Sequence, residues 1–391
     1  FIGRVFFQTF GQHSEMTPSR TLCFLSLVWL TFATRAYAQS GTSGTSEKAS
    51  RANNNSPSTT ASGWVDIRDG VQDADNPILT PTDRLEWILG DPSLLDLDTG
   101  ERYVFANEVF HGIIWYKAKE VNAGGGEFQY EKLGRVVGYP GAVRPFAHFD
   151  ASTKMVHLFY EQYAFPLYNK SKIWMKSGKV SDGEISWEKN DVMILEPKLS
   201  WEKEGLARVG NPYVFFHPSK EQYVLYYSAG SQHLPDSKVD EPISLGMAVA
   251  DSIDGPYTRV DNSPLVIEGL DGTNTIGLGS LKLVKGLEQD FDKPIAMINR
   301  ITSVDGVTGS TISLVNSGNK GNSFKVATLD LIEPTLVDKD WKEAYCYGFD
   351  TGVDAEDDNF ILVLYNGRNG WAHATETVGA TRIRKDLLMT E

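Results

Sequence analysis

Cysteine is almost absent from this chain, which has two, Cys23 and Cys346. Cys23 falls in a leader that we expect to be removed, so Cys346 remains alone and an intrachain disulfide is excluded. We interpret Cys346, which lies between two tyrosines, as a buried small residue rather than a nucleophile. The histidines, among them His111, His148 and His217, show no zinc-ligand spacing, and the sequence predicts no transition metal.

Basic residues are also scarce, with 37 Lys and Arg against 51 Asp and Glu and a net charge of −14. Residues 1–38 carry a net charge of +2, so their removal leaves −16. Nucleic acids and anionic membranes select basic patches, and we expect neither as a partner. The chain has no glycine-rich phosphate loop and no Gly-x-Ser-x-Gly motif, which leaves nucleotide chemistry and serine hydrolysis without support.

Long apolar runs are missing except near the start of the chain. Residues 16–38 begin with Met, carry an apolar stretch over 21–33 and end in the small-residue pattern Ala-Tyr-Ala before Gln39, as in a secretory signal peptide. The competing interpretation, a transmembrane anchor, is disfavoured because the run is short and Arg35 interrupts it. We therefore predict an extracellular or periplasmic protein, and we interpret residues 1–15 as upstream, non-native sequence.

Two further regions follow the predicted signal. Residues 39–63 consist mostly of Ser, Thr, Gly, Asn and Ala, which bury too little apolar surface to offset the entropy of ordering, so we predict a flexible tether. Residues 64–391 are long for one domain, yet closed all-β folds reach this length. The sequence predicts a single domain here, and we expect it to be a monomer without membrane insertion.

A hairpin template recurs along this domain. Its first copy starts at Gly90-Asp91-Pro92, turns over 98–100 and returns through a second apolar strand. Copies follow over 144–160, 211–227, 279–298 and 349–365, roughly 50 to 70 residues apart, and no segment has a helical period. This repeat predicts an all-β, five-bladed β-propeller with four-stranded antiparallel blades. A β-sandwich also has many short strands, but it would not restart one template five times.

In such a propeller the starts of the first strands and the ends of the second strands gather at one mouth of the central funnel. The strand starts are Asp91, Arg144, Asn211, Ser280 and Asp350. The strand ends are Asn107, Glu108, Glu161, Gln162, Ser228, Asn299, Arg300, Asn366 and Arg368, and the aromatic residues Trp87, Tyr163 and Trp371 lie near them. Mixed acids, amides, arginines and aromatic rings suit a polyhydroxylated ligand.

The chain resembles the five-bladed propeller glycosidases of glycoside hydrolase family 43 and its relatives in families 32, 62, 68 and 117. The residues that carry this resemblance are the five hairpins, the opening Gly-Asp-Pro-Ser of blade one, 252–257 in blade three and 365–368 in blade five. The resemblance implies glycoside hydrolysis with Asp91 as base or nucleophile. The family's second Asp and its acidic Glu are not matched, since Arg144 or Asn211 and Val143 or Gly210 occupy those places.

Hydrolysis of a glycoside requires two carboxyl groups, one protonated and one ionised. We predict Asp91 as the base and Glu161 as the acid, because the apolar neighbours of Glu161 would raise its pKa. Glu108 is the next candidate for the acid, and Glu268 and Asp271, in the loop before blade four, are candidates that the sequence does not rank below it. The alternative for Glu161 is a carboxylate that pairs with a nearby arginine or binds a sugar hydroxyl.

Arginines at the mouth widen the range of ligands. Arg144, Arg300 and Arg368 are predicted to bind a uronate carboxylate or a sulfate, unless they only neutralise neighbouring acids. We expect a secreted hydrolase of plant or algal poly- or oligosaccharides. The alternatives are a catalytically silent glycan-binding propeller and a polysaccharide lyase. No cofactor is predicted; the resemblance allows a structural calcium ion in the funnel, but no residue pattern specifies its ligands.

Overall fold

The computed structural model describes residues 64–74, 76–81, 88–108, 111–119, 129–165, 167–234, 239–318, 323–333, 345–368 and 376–389. All of these belong to one compact unit, Pro57–Glu391. The predicted signal peptide and tether, over residues 16–63, lie outside the described residues. Within the described part, no helix has the length and apolar character needed to cross a membrane.

The described strands form five blades, which confirms the predicted β-propeller. Two short strands, β1 (Val65–Arg68) and β2 (Val71–Asp73), precede the first blade. Blade one contains β3 (Leu89–Asp96), β4 (Arg102–Glu108), β5 (Gly112–Ala118) and β6 (Tyr130–Val137). Blade two contains β7 (Ala142–Asp150), β8 (Met155–Tyr163), β9 (Ser171–Ser181) and β10 (Glu184–Leu195).

Blades three and four contain strands in addition to the four of a basic blade, and the three consecutive strands of blade five are joined by β2 and β1. Blade three contains β11 (Val209–His217), β12 (Gln222–Ala229), β15 (Ser244–Ala250) and β16 (Thr258–Arg259), with a hairpin of β13 (Gln232–Leu234) and β14 (Val239–Glu241) inserted. Blade four contains β18 (Thr275–Leu283), β19 (Ile295–Val304), β20 (Val307–Ser317), β21 (Ser323–Ile332) and, parallel to β21, β17 (Val266–Glu268). Blade five contains β22 (Tyr345–Val353), β23 (Phe360–Arg368) and β24 (Glu376–Arg384). Short 3-10 helices span Trp201–Lys203 and Lys385–Leu387.

The fifth blade is completed from the other end of the chain, a feature that the sequence did not predict. Strand β2 pairs antiparallel with β24, with Val71 opposite Ile383 and Asp73 opposite Thr381. The hydroxyl of Thr381 also donates to the carbonyl of Gln72 at 2.8 Å. The last blade therefore shares strands from both ends of the domain, and this pairing closes the ring.

Apolar side chains fill the spaces between neighbouring blades. Phe105 of blade one and Tyr160 of blade two are buried in one cluster, and Val104 and Leu364 belong to another between blades one and five. A third cluster extends from blade two through blade four, and a fourth joins blades four and five. Strand alternation produces this arrangement, because successive side chains point to opposite faces and so contact the preceding and the following blade.

Each first strand carries a β-bulge near its start. In blades one, two and three, one extra residue interrupts the register with the second strand at Asp91, Arg144 and Asn211, each of which precedes a proline. Their φ angles are 51°, 52° and 46°, in the left-handed region that non-glycine residues rarely adopt. A bulge redirects its side chain, and the same local strain recurs in the three blades whose bulge residue precedes a proline.

Ring closure generates a prediction about Trp64, which is 2% exposed and lies with its ring centre 5.0 Å from the guanidinium carbon of Arg382. Trp64→Ala is expected to lower the free energy of unfolding by about 3–5 kcal/mol, because a large buried side chain is lost next to the closing strand. Urea denaturation measures this change.

Leu167→Ala is the control, since Leu167 is 71% exposed. Its free energy of unfolding should change by less than about 0.5 kcal/mol. Equal stability of the Trp64 variant and the wild type would contradict a closing role for the segment that precedes blade one.

Candidate functional site

A small pocket lies on the axis of the propeller, at the end where the first strands begin. All five blades contribute to it. The lining residues are Asp91, Arg144, Pro145, Asn211, Pro212, Ser280, Lys282, Gly348 and Phe349. The described side chains leave a cavity of about 10 Å³, which is room for about one water molecule. Four predicted residues, Asp91, Arg144, Asn211 and Ser280, are thus brought together.

The Asp91 carboxyl is held at the seam between blades one and five. Its Oδ1 lies against Gly348, where any Cβ would collide with it, and Asn366 Oδ1 accepts a hydrogen bond from the Asp91 backbone N–H at 3.3 Å. With its amide nitrogen turned toward Asp91, Asn107 donates to Asp91 Oδ2 at 2.7 Å. Oδ1 is buried and has no hydrogen-bond partner among the described residues. One carboxylate oxygen is therefore anchored and the other is left to accept a proton or a hydrogen bond.

Burial raises the pKa of Asp91, because the charged form loses its contact with water. The positive charges of Arg144 and Lys282 oppose this rise, whereas the negative charges of Glu241 and Glu161 add to it. Burial in turn lowers the pKa of the Lys282 ammonium, and Asp91 is one of the two carboxylates that counteract this effect. Asp91 is consequently a carboxyl whose protonation depends on the charges around it.

Glu161 does not have the raised pKa that the sequence predicted. It is fully buried, and although burial alone raises its pKa, the guanidiniums of Arg208 and Arg144 outweigh burial and lower it. Arg208 Nε donates to Oε1 at 3.0 Å, and Arg144 Nη1 donates to Oε2 at 3.1 Å. Gly210 makes room for the carboxylate, since a Cβ there would collide with Oε2. The structure therefore favours the alternative interpretation, an arginine-paired carboxylate that is ionised at neutral pH.

Glu108 and Arg300 also differ from expectation, because the hydrogen bonds of each side chain are to residues of its own blade; Glu108 Oε2 is buried and has no hydrogen-bond partner among the described residues. Glu108 Oε1 accepts from Lys132 Nζ at 2.7 Å and from the hydroxyl of Tyr116 at 3.2 Å. Arg300 is 2% exposed, and its Nη1 donates to Asp330 Oδ1 at 2.7 Å. Neither residue lines the axial pocket, so the expected convergence of Arg300 with Arg144 is not observed.

Three other predicted ligand-binding residues surround Arg144 or line the pocket directly. The hydroxyl of Tyr163 accepts from Arg144 Nη1 at 3.2 Å, and burial raises the pKa of this tyrosine to about 12. Asn211 Nδ2 donates to Ser228 Oγ at 2.8 Å, and Asn211 lines the pocket. Ser280 Oγ is buried without a hydrogen-bond partner among the described residues. These polar groups offer both donors and acceptors at the floor of the funnel.

The remaining candidates do not contribute to the described pocket. Trp87 and Trp371 lie outside the described residues, and for Arg368 only the backbone, at the end of β23, is described. Glu268 belongs to the outermost strand of blade four and accepts from Ser323 Oγ at 2.9 Å. Asp271 lies in an exposed loop. Among the described residues, no group of three or more His, Cys, Asp or Glu side chains is placed to hold a metal ion.

Two buried basic residues, Lys282 and Arg208, were not identified from the sequence, and Asp350 was predicted at the mouth of the funnel, where the structure does not have it. Lys282 lines the pocket and Arg208 pairs with Glu161, yet Lys282 lies within the apolar strand β18 and Arg208 directly before the apolar strand β11. Asp350 lies two residues beyond the pocket-lining Gly348, is fully buried and accepts from Lys285 Nζ at 2.7 Å. A charged residue inside an apolar strand is the signal that predicts such buried ion pairs.

No family model and no curated protein matches this sequence. Solved structures are similar to it in fold. An α-L-arabinofuranosidase from Podospora anserina, solved with cellotriose, has a TM-score of 0.53 and 12% identity, over 78% of this chain and 94% of that one. The catalytic domain of a GH62 α-L-arabinofuranosidase from Coprinopsis cinerea has a TM-score of 0.54 and 12% identity, over 79% and 95%.

A third similar structure is an N-acetylgalactosamine deacetylase from F. plautii in complex with blood group B trisaccharide. Its TM-score is 0.55 with 8% identity, over 79% of this chain and 96% of that one. At such identities the likeness concerns the fold. It confirms, at that level, the resemblance to five-bladed propeller glycosidases.

The arginine clamp on Glu161 predicts a structural effect. Glu161→Gln is expected to lower the free energy of unfolding by about 3–5 kcal/mol, because the buried Arg208 loses its charge partner. The lowered pKa of Glu161 gives the sign of the pH effect: the stabilisation is present above the ordinary value of 4.5 and is lost as the pH falls through the folded-state pKa. Urea denaturation of wild type and variant at several pH values measures both.

Glu184→Gln, at an exposed position of β10, is the matched control and should leave the stability unchanged. If the Glu161 variant keeps wild-type stability but loses all activity, this result contradicts a mainly structural role for Glu161. It would instead support Glu161 as the catalytic acid.

Proposed function

We propose that this protein is a secreted glycoside hydrolase that cleaves poly- or oligosaccharides of plant or algal origin, with Asp91 as its catalytic base. One observation carries the proposal: the Asp91 carboxyl lies on the axis of the propeller, anchored through Oδ2 and with a buried, unpartnered Oδ1. The similar solved structures, two arabinofuranosidases and a deacetylase of an amino sugar, support a carbohydrate as the ligand.

The geometry suits a base that acts on water. Asn107 fixes the orientation of the Asp91 carboxyl, so that Oδ1 is the atom that accepts a proton from water attacking the sugar. The raised pKa makes Asp91 a stronger base than an exposed aspartate, while Arg144 and Lys282 keep it ionised over a wider pH range than burial alone would allow. The neighbouring Ser280 and Asn211 offer hydrogen bonds to sugar hydroxyls.

The acid requires a different residue from Glu161, whose two arginine partners stabilise its ionised form. Glu241 is the carboxyl that we assign to this role. It is 4% exposed, ends the β13–β14 hairpin of blade three and lies close enough for its charge to raise the pKa of Asp91. On this assignment, Asp91 and Glu241, from different blades, are the two carboxyls that glycoside hydrolysis needs.

Asp91→Asn is expected to reduce sugar release by a factor on the order of 10² to 10⁴, because the amide cannot take a proton from water. The assay measures reducing ends released from arabinan, xylan, fructan and sulfated algal polymers. Asp98→Asn, in the exposed turn between β3 and β4, is the control and should retain wild-type activity.

Glu241→Gln in the same assay distinguishes the acid from the base. Loss of an acid is partly compensated when the leaving group departs easily, so this variant should retain more activity on a 4-nitrophenyl glycoside than on the polymer. Activity that survives Asp91→Asn would overturn the base assignment and would favour a lyase mechanism.

Lys282 provides a prediction about pH. A base must be ionised, so activity falls as the pH drops through the pKa of Asp91. Lys282→Met removes a positive charge that lowers this pKa, so the acidic limb of the profile of kcat/KM should shift to higher pH. Lys179→Met, at an exposed position of β9, is the control; an unshifted profile in the Lys282 variant would contradict coupling between the two groups.

Glycan binding without hydrolysis is the second candidate function. The observations that favour it are the cavity of about 10 Å³, too small for a sugar ring without movement of the lining side chains, and the arginine pairing of Glu161. Retained binding of a polymer from the panel, measured by calorimetry, with no release of reducing ends would support this function over hydrolysis.

A further inference from the structure

A second, larger cavity lies at the opposite end of the first strands. Its volume is about 380 Å³, within the range of small-molecule sites. The early residues of each first strand line the pocket around Asp91, whereas later residues of the same strands line this cavity. In blade one, Asp91 lines the pocket and Leu94 to Asp96 line the cavity. In blades two and four, neighbouring residues divide between the two spaces, as with Pro145 and Phe146 or Lys282 and Leu283, so the cavity follows directly after the pocket along the strands.

Aromatic and aliphatic side chains form most of the walls. Phe215 and Phe291 stack with ring centres 5.7 Å apart and 18° between their planes, and Phe149 and Leu287 also line the cavity. Val353, which is 46% exposed, stands at the rim. Walls of flat rings favour a ligand with an apolar, flat body, because offset stacking and edge contacts add to the burial of apolar area.

Lys285 provides a polar group at the inner wall of the cavity. Its Nζ donates to Asp350 Oδ2 at 2.7 Å and to the carbonyl of Leu94 at 2.8 Å. An ammonium group has three N–H donors, so these two bonds leave one donor. The side chain is 27% exposed, and Phe146, whose ring centre is 5.0 Å from Nζ, lines the same space. A ligand carboxylate can take the remaining donor in a charge-assisted hydrogen bond.

Two other polar residues that line the cavity, Asp96 and His148, do not carry an unpaired negative charge that would repel a bound anion. Asp96 is bound by Arg102, whose Nε lies 2.6 Å from Asp96 Oδ1. His148 is neutral at physiological pH, because burial lowers its pKa to about 4, and a neutral imidazole offers one donor and one acceptor. The cavity therefore combines apolar walls with one cationic donor and no carboxylate that lacks a partner.

We propose that this cavity is a binding site for a small aromatic carboxylate, with its ring between the aromatic walls and its carboxylate on Lys285. The site is separate from the pocket around Asp91 and does not depend on the reaction proposed there. The ligand is defined by its chemistry: a flat apolar body of about one ring and a single negative head group.

The test is calorimetric binding of 3-phenylpropanoate and of its neutral counterpart, 3-phenylpropan-1-ol, to the purified chain. The carboxylate is expected to bind about tenfold more tightly than the alcohol, the difference that one charge-assisted hydrogen bond provides. Val353→Glu should weaken binding of the carboxylate about fivefold by repulsion at the rim and leave the alcohol unchanged. Val353→Gln is the matched control and should leave both unchanged.

Two further variants locate the site. Leu287→Trp, which fills the cavity, should abolish binding of both probes, and Asp91→Asn should change neither affinity. Equal affinities for acid and alcohol, an unchanged carboxylate affinity in Val353→Glu, or loss of binding in Asp91→Asn would each overturn the proposal. Absence of binding by both probes up to their solubility would overturn it as well.

Discussion

The pairing of β2 with β24 is the interaction on which the rest of the structure depends. It joins the two ends of the propeller, and the seam that it closes is also the place where Asp91 is positioned. The backbone of Asp91 donates to Asn366 and its carboxyl lies against Gly348, both residues of blade five. One level below, Asp350 of blade five accepts from the backbone N–H of Leu94 in blade one at 2.8 Å. An open ring would leave these residues without their partners, so the site exists only because the ring is closed.

Two buried carboxyls in neighbouring blades illustrate how partners, rather than burial, decide the charge of a group. Asp91 and Glu161 are both withdrawn from water, yet their pKa values move in opposite directions. Glu161 receives hydrogen bonds from two guanidiniums, whereas Asp91 Oδ1 receives none from the described residues. In the low-dielectric interior, a direct charge partner outweighs the loss of water. Asp91 is thus better suited than Glu161 to accept a proton in a reaction. Glu161, through its ion pairs, holds the side chains of Arg144 and Arg208 in position.

Much of the fold was predictable because a hairpin forms between segments that are adjacent in sequence. The alternation of apolar residues around turns such as that at 98–100 repeats five times, and each copy became the inner pair of strands of a blade. Closure was not predictable, since β2 has three residues and its partner lies about 310 residues away. For the site, the bulge residues before proline were found, and arginine pairing of Glu161 was the alternative interpretation, whereas Arg208 was not identified as a partner. Apolar neighbours along the sequence indicated a raised pKa, but Arg208 belongs to the next blade, and sequence alone does not reveal a contact between blades.

The position of the closing strand has a consequence for how the ring assembles. Gln72 is made near the beginning of the domain, while Thr381, whose hydroxyl bonds to it, comes 309 residues later. Each inner hairpin forms from neighbouring segments, so the blades gain their own contacts without waiting for the rest of the chain. The seam forms only after nearly the whole chain is present, and long-range pairing of this kind is slow because the entropy of closing the loop comes before its contacts are made. Folding of this propeller is therefore expected to end, rather than begin, with the strand that is synthesised first.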